Sequence, residues 1–167
     1  YFIRADILVK AGNHVDLIEV KAKSINPKTD TFLTATGTRI NGKWESYIAD
    51  IAFQKHVLQL AYPNFRVNAR LMLANKQAVA QIDGLNQLFK IRTEGKHTHA
   101  VFTGDKNALP DFANLLVSIN VDAEIQLFID TFNHPDFGDF EATAKKIADA
   151  FAADQPLYPT NPLGKQC

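Results

Sequence analysis

With one cysteine, Cys167, as its last residue, the chain has no internal disulfide framework. It also lacks any charge imbalance. Eighteen Lys and Arg balance 18 Asp and Glu, which removes the global electrostatic signature of a nucleic-acid binder and leaves room only for a local basic groove. No apolar run approaches the roughly 20 residues needed to span a membrane, and no charged n-region, apolar h-region and cleavage pattern opens the chain. These absences make a cytoplasmic location with no membrane partner the expectation. No Gly-rich phosphate loop, Ser-His-Asp order, internal repeat or low-complexity tract is visible.

What is there is ordinary for a globular protein: 167 residues, 46% apolar and 22% charged, suit one sizeable core. The expected organisation is a single α/β domain over residues 1–167. The chain starts directly in strand-like sequence at "YFIRADIL" and stops at Cys167, so the expectation is a piece of a longer polypeptide.

The densest chemical signal is "RADILVKAGNHVDLIEVKAK", Arg4 to Lys23, which reads as a β-hairpin turning at Gly12-Asn13, because Gly supplies the positive φ that a tight hairpin turn needs. Partners across that turn sum to 25, so Ala11 faces His14, Leu8 faces Leu17, Asp6 faces Glu19 and Arg4 faces Lys21. Opposed carboxylates repel across about 5 Å. The offset is a raised pKa on one acid, a cationic neighbour, or a divalent metal ion held between them. Lys21, two residues after Glu19, falls on the same face by strand period. Two carboxylates and the Val20 carbonyl form an oxygen set for a hard cation, and an ammonium beside it can orient or help activate water. The plain alternative is a structural ion cluster neutralised by Arg4 and Lys21.

Both hairpin strands, 1–11 and 14–23, are apolar on both faces, which predicts burial in the middle of an α/β sheet. Residues 24–46 are turn-rich and read as an inserted hairpin or loop, with Asn41-Gly42 as a hairpin signal. A helix follows over 47–61, with Ser46 as N-cap and Pro63 past its end. Its apolar stripe, Tyr47, Ile51, Gln54, Leu58 and Ala61, is broken by Gln54, with Asp50 one turn earlier. Residues 65–76 alternate as a core strand, and shorter strands fall at "LFKIR" and "HAVFTG". Three helical stretches follow: "PDFANLLVSI", "VDAEIQLFIDTF", and "DFEATAKKIADAF" capped by Asp139. Residues 154–167 read as an irregular tail.

"RADIL", then "DLIEVKAK", then "DIAFQKHVL" in a helix together resemble the PD-(D/E)XK nuclease superfamily, in particular its RecB-like exonuclease branch, which includes the CRISPR-adaptation exonucleases. The resemblance covers roughly residues 1–76. It implies a restriction-endonuclease-like mixed central sheet flanked by helices, and a Mg²⁺- or Mn²⁺-dependent deoxyribonuclease with DNA as partner, working in repair, recombination or defence. It also implies metal and catalytic roles for Asp6, Glu19 and Lys21, the Val20 carbonyl as a metal donor, and Gln54 as the branch's helical Gln. The chain departs from the branch at Leu58, where Tyr is common, and starts too late to show the branch's upstream helix. A fragment lacking that helix is expected to be a weaker nuclease than its parent. "PTNPLGKQC" resembles the approach to the branch's iron-sulfur cysteines, so Cys167 is either a first cluster ligand in the full-length protein or an ordinary terminal cysteine. A non-catalytic nuclease-fold module that binds nucleic acid or a partner protein is the rival reading.

The remaining candidates are weaker. His97 and His99 would share a strand face, but a solvated loop is the expectation. Lys55 and His56 follow Gln54 and suit either phosphate contact or simple exposure. Trp44 and Tyr47 suit base stacking or packing, and packing is favoured. His14 and His134 fall at turns.

Overall fold

In the computed structural model of the protein, residues 1–105 and 114–158 are described. The elements run β1 (Ile7–Ala11), β2 (His14–Ile25), α1 (Gly42–Ala61), β3 (Arg66–Asn75), a short 3₁₀ turn (Leu85–Leu88), β4 (Phe89–Glu94), β5 (His97–Phe102), β6 (Leu116–Asn120), α2 (Asp122–Thr131) and α3 (Phe140–Ala152). The chain is α/β. A four-stranded sheet has the order β1-β2-β3-β6, and β4 and β5 form a separate two-stranded sheet.

The hairpin has the expected register: Ala11 pairs with His14, Leu8 with Leu17 and Ile7 with Ile18, across a turn where Gly12 sits at φ 62°. The sheet is mixed. The Arg66 amide donates to the Asn13 carbonyl at 2.8 Å and the Lys76 amide to that of Ile25 at 3.0 Å, so β3 runs parallel to β2. A parallel pair needs a long crossover, and α1 lies within it. The Val121 amide donates to Ala69 O and the Asn75 amide to Leu115 O, each numbered pair summing alike, so β6 is antiparallel to β3.

The chain divides into two compact units. The first takes residues 1–20, 31–71 and 118 onward. Its core holds Val15, Leu17, Ile48, Ile51, Ala69, Leu71, Val121, Ile125 and Phe128, with Trp44 packed edge-on against Phe32 at 5.0 Å. Burial alternates along β3 at Val67, Ala69 and Leu71, as strand period requires. The second unit takes residues 21–30 and 72–117 and contains the β4–β5 ribbon.

Three expectations are corrected. β1 is an edge strand starting at Ile7, with a neighbour on one side only, and all five of its residues are exposed. It is β2, one strand inward, that buries residues on both faces: Leu17 on one and Ile18 on the other. α1 starts at Gly42, not at Tyr47. Asn41 caps it, its side chain accepting from the Lys43 amide at 3.1 Å, so Asn41-Gly42 opens a helix where a hairpin turn was expected. Residues 116–119 of the stretch "PDFANLLVSI" are strand β6, where pairing with β3 overrides helical propensity. Residues 110–113 of that stretch lie outside the described residues. Asp139 caps α3 as expected, accepting from the Ala142 amide at 2.8 Å.

Asp122, the first residue of α2, ties three elements together. Its carboxylate accepts from Lys55 Nζ on α1 at 2.6 Å, from the Ala69 amide on β3 at 3.0 Å and from Asn120 at 2.8 Å. Burial alone would raise its pKa, but these hydrogen bonds and the Lys55 charge outweigh burial and leave it below the ordinary 3.8. A depressed folded pKa means stabilisation that is full above the unfolded value and is lost as pH falls through the folded one. Asp122→Asn is therefore expected to cost about 1–2 kcal/mol at pH 7, discounted for partial exposure. It should also flatten the loss of stability below about pH 4. Urea unfolding across pH 2.5–7 checks both.

Candidate functional site

On β2 the core-facing positions run Val15, Leu17, Glu19, so strand period puts a carboxylate where the next apolar side chain belongs. Glu19 is only 6% exposed. A carboxylate buried that deeply needs hydrogen-bond donors, because desolvation of an unpaired charge costs several kcal/mol. One comes from α1: Gln54, 5% exposed, donates from Nε2 to Glu19 Oε2 at 2.9 Å. The same nitrogen donates to Asp50 Oδ1, one turn earlier on the helix, at 3.1 Å. Two carboxylates fix the orientation of this amide, since turning it over would set Oε1 against both negative charges. The other end, Gln54 Oε1, is buried with no hydrogen-bond partner among the described residues.

Asp6 lies in the bend just before β1. It is exposed, and its Oδ2 accepts from the Val20 amide at 2.9 Å, which sets the carboxylate beside the peptide that joins Glu19 to Val20. The expected cross-strand pairing of Asp6 with Glu19 is replaced by this side-chain-to-backbone bond, because the ladder ends at Ile7–Ile18. Lys21 is half-buried, two residues beyond Glu19 on β2, in the chain segment that belongs to the second unit. Cys167 lies outside the described residues.

The oxygen donors suit a hard divalent cation in kind: two carboxylates, the Val20 carbonyl and the orphaned Gln54 Oε1. Among the described residues no group of three or more His, Cys, Asp and Glu is gathered for a metal. That does not conflict with Mg²⁺, which keeps several waters and takes one or two carboxylates plus substrate phosphate.

Other candidates fall elsewhere. Lys55 is engaged with Asp122, a partner 67 residues away that no local pattern in α1 announces. Trp44 is packing, at 1% exposure against Phe32. His97 and His99 lie on strand β5, not in a loop. His56 packs edge-on against Tyr1 and Phe140. A groove of about 600 Å³, lined by Phe53, Phe128, Phe132, Phe140, Ile147 and Phe151 among others, is almost wholly apolar and includes none of the acidic residues. Such a lining suits apolar side chains, not a phosphodiester.

In comparisons with protein families, curated proteins and solved structures, none matched this chain.

The Glu19–Gln54 bond is testable apart from any activity. Gln54→Met removes a buried donor to a charged group and is expected to cost about 1–3 kcal/mol in urea unfolding. Combined with Glu19→Met, the loss should be well short of the sum of the single losses, since the two side chains are partners.

Proposed function

We propose that the chain is a metal-dependent deoxyribonuclease of restriction-endonuclease-like fold that hydrolyses DNA phosphodiester bonds, working in DNA repair, recombination or defence. One observation carries the reading: a buried Glu on a strand, held by a helical Gln, with an Asp anchored on the next peptide. Burying a carboxylate costs free energy that a packed core without a task avoids. The spacing of Asp6, Glu19 and Lys21 also matches the superfamily that the sequence resembles.

In this reading Asp6, Glu19 and the Val20 carbonyl hold Mg²⁺ or Mn²⁺. When bound, the ion supplies Lewis acidity towards a phosphoryl oxygen and a lowered pKa for its water. Glu19 is fixed by Gln54, so one donor is pre-set before substrate arrives. Asp6 spends Oδ2 on the Val20 amide and keeps Oδ1 for the ion. The Lys21 ammonium orients the attacking water and offsets the charge that builds on the phosphoryl group, a role that rests on strand period. Water attacks phosphorus and releases a proton to solvent, the P–O bond to the leaving nucleotide breaks, and the leaving oxygen takes up a proton from solvent.

A second reading, a non-catalytic module of the same fold that binds nucleic acid or a partner protein, is favoured by Leu58. It is buried where the branch commonly presents a Tyr, so the position offers no polar group to substrate.

Labelled single- and double-stranded DNA, incubated with Mn²⁺ or with chelator, separates the two. Cleavage with Mn²⁺ is expected, with Asp6→Ala, Glu19→Ala and Lys21→Ala each slowing it about a hundredfold or more. Parent-like rates in Asp6→Ala and Lys21→Ala would sink the catalytic assignment. Binding without cleavage would favour the module.

A further inference from the structure

The β4–β5 ribbon sorts its side chains by face. Lys90, Arg92 and Glu94 lie on one side of β4, and their direct partners on β5 are Val101, His99 and His97. The other side carries Phe89, Ile91 and Thr93 opposite Phe102, Ala100 and Thr98. Lys96 stands in the turn beside Gly95, whose φ of 62° allows the tight reversal. Lys90, Arg92, Lys96, His97 and His99 are all exposed, and none makes an ion pair or side-chain hydrogen bond among the described residues. Arg92 faces His99 with no acid between them; Glu94, at the tip, is the one acid on this face.

Three physical points bear on this ribbon. A chain of zero net charge has gathered three of its 18 basic residues, and two of its five histidines, on 14 residues with a single acid. A lone two-stranded ribbon, here exposed on nearly every residue, is marginal in water unless something covers it. Its dimensions are also suited to a duplex, since a two-stranded ribbon fits a major groove about 12 Å wide. Lys90 and Arg92, two residues apart on one face, stand about 7 Å apart, close to the through-space separation of neighbouring phosphates on one DNA strand.

We propose that the β4–β5 ribbon is a nucleic-acid-binding arm that lays its Lys90–Arg92–His99 face along the phosphates of a DNA duplex groove. Lys96 adds a cation at the tip, and the Phe89–Ile91 face points away from the phosphates. The inference rests on the nuclease reading only for the identity of the polyanion, and binding is separable from cleavage.

The test is fluorescence anisotropy of a labelled 20-base-pair duplex with the full chain in chelator, over 50–200 mM salt. Lys90→Ser with Arg92→Ser is expected to weaken binding about tenfold at the lowest salt and to reduce the slope of log affinity against log salt by about two. Both positions are exposed, so the core is unaffected, and circular dichroism checks the fold. Ile91→Ser, on the opposite face, should leave the slope unchanged. Unchanged affinity and slope in the double variant would overturn the proposal, as would a parent that binds no duplex at all. A parent that cleaves no DNA with Mn²⁺ yet binds the duplex, and loses salt slope in the double variant, supports the arm while overturning the catalytic assignment.

Discussion

The burial of one carboxylate, Glu19, constrains much of the first unit. Strand period forces it onto the face that Val15 and Leu17 give to the core. A charge there needs hydrogen-bond donors, and one of them reaches it from the layer above. That donor sits on α1, which lies in the crossover between β2 and β3. The parallel pairing of those strands is what makes a long crossover necessary. An antiparallel β2–β3 pair could close with a short turn and would need no helix there. Topology and chemistry are thus linked: the pairing requires the crossover, and its helix brings Gln54 to Glu19.

Gln54 answers the charge at a cost of its own. Its two Nε2 protons go to Glu19 and Asp50, and Oε1 is left buried without a partner among the described residues. An orphaned buried acceptor is worth about 1–3 kcal/mol of lost stability. A Leu at position 54 would remove that loss but would also take from Glu19 a hydrogen bond to its buried charge, and such a bond is worth about 1.5–3 kcal/mol. The pair is therefore locked together. Either side chain alone is worse than both, which is how a polar pair persists inside an apolar layer.

Much of this was legible in the sequence, and the exceptions have physical causes. Gly12 announced the turn, and once the turn is placed, counting fixes which residues pair. Alternation named β3, and Asp139 named the start of α3, because period and capping are local properties. Gln54 stood out as a polar interruption of an apolar stripe. What stayed hidden depends on distant partners. β1 reads as a central strand because its apolar content is high, yet its place at the edge is decided by which strands pair with β2. β6 reads as helical until β3 supplies its hydrogen bonds. Asn41-Gly42 is ambiguous between a turn and a cap, and the side chain settles it by bonding the Lys43 amide. The Lys55–Asp122 tie spans 67 residues, so no window of α1 could show it.

The two acids flanking the Glu19–Val20 peptide stand in opposite environments, and that difference matters for what they can do. Glu19 is buried and oriented by Gln54, whereas Asp6 is exposed and fixed at one oxygen only. A site made of two buried acids would have to remove two charges from water before any ion arrived. A site made of two exposed acids would have to order both on binding, at a cost in side-chain entropy. In the proposed metal site one of each would avoid both penalties: the buried member is oriented by Gln54 beforehand, and the exposed Asp6 would offer Oδ1 to the ion. The same division explains why Asp6 sits at the end of the β1 ladder and not within it. Inside the ladder its carboxylate would stand directly opposite Glu19, where like charges repel. One residue past the last pair, it turns to the Val20 amide instead, so the bend at Asp6 relieves the repulsion while keeping both acids on the same peptide.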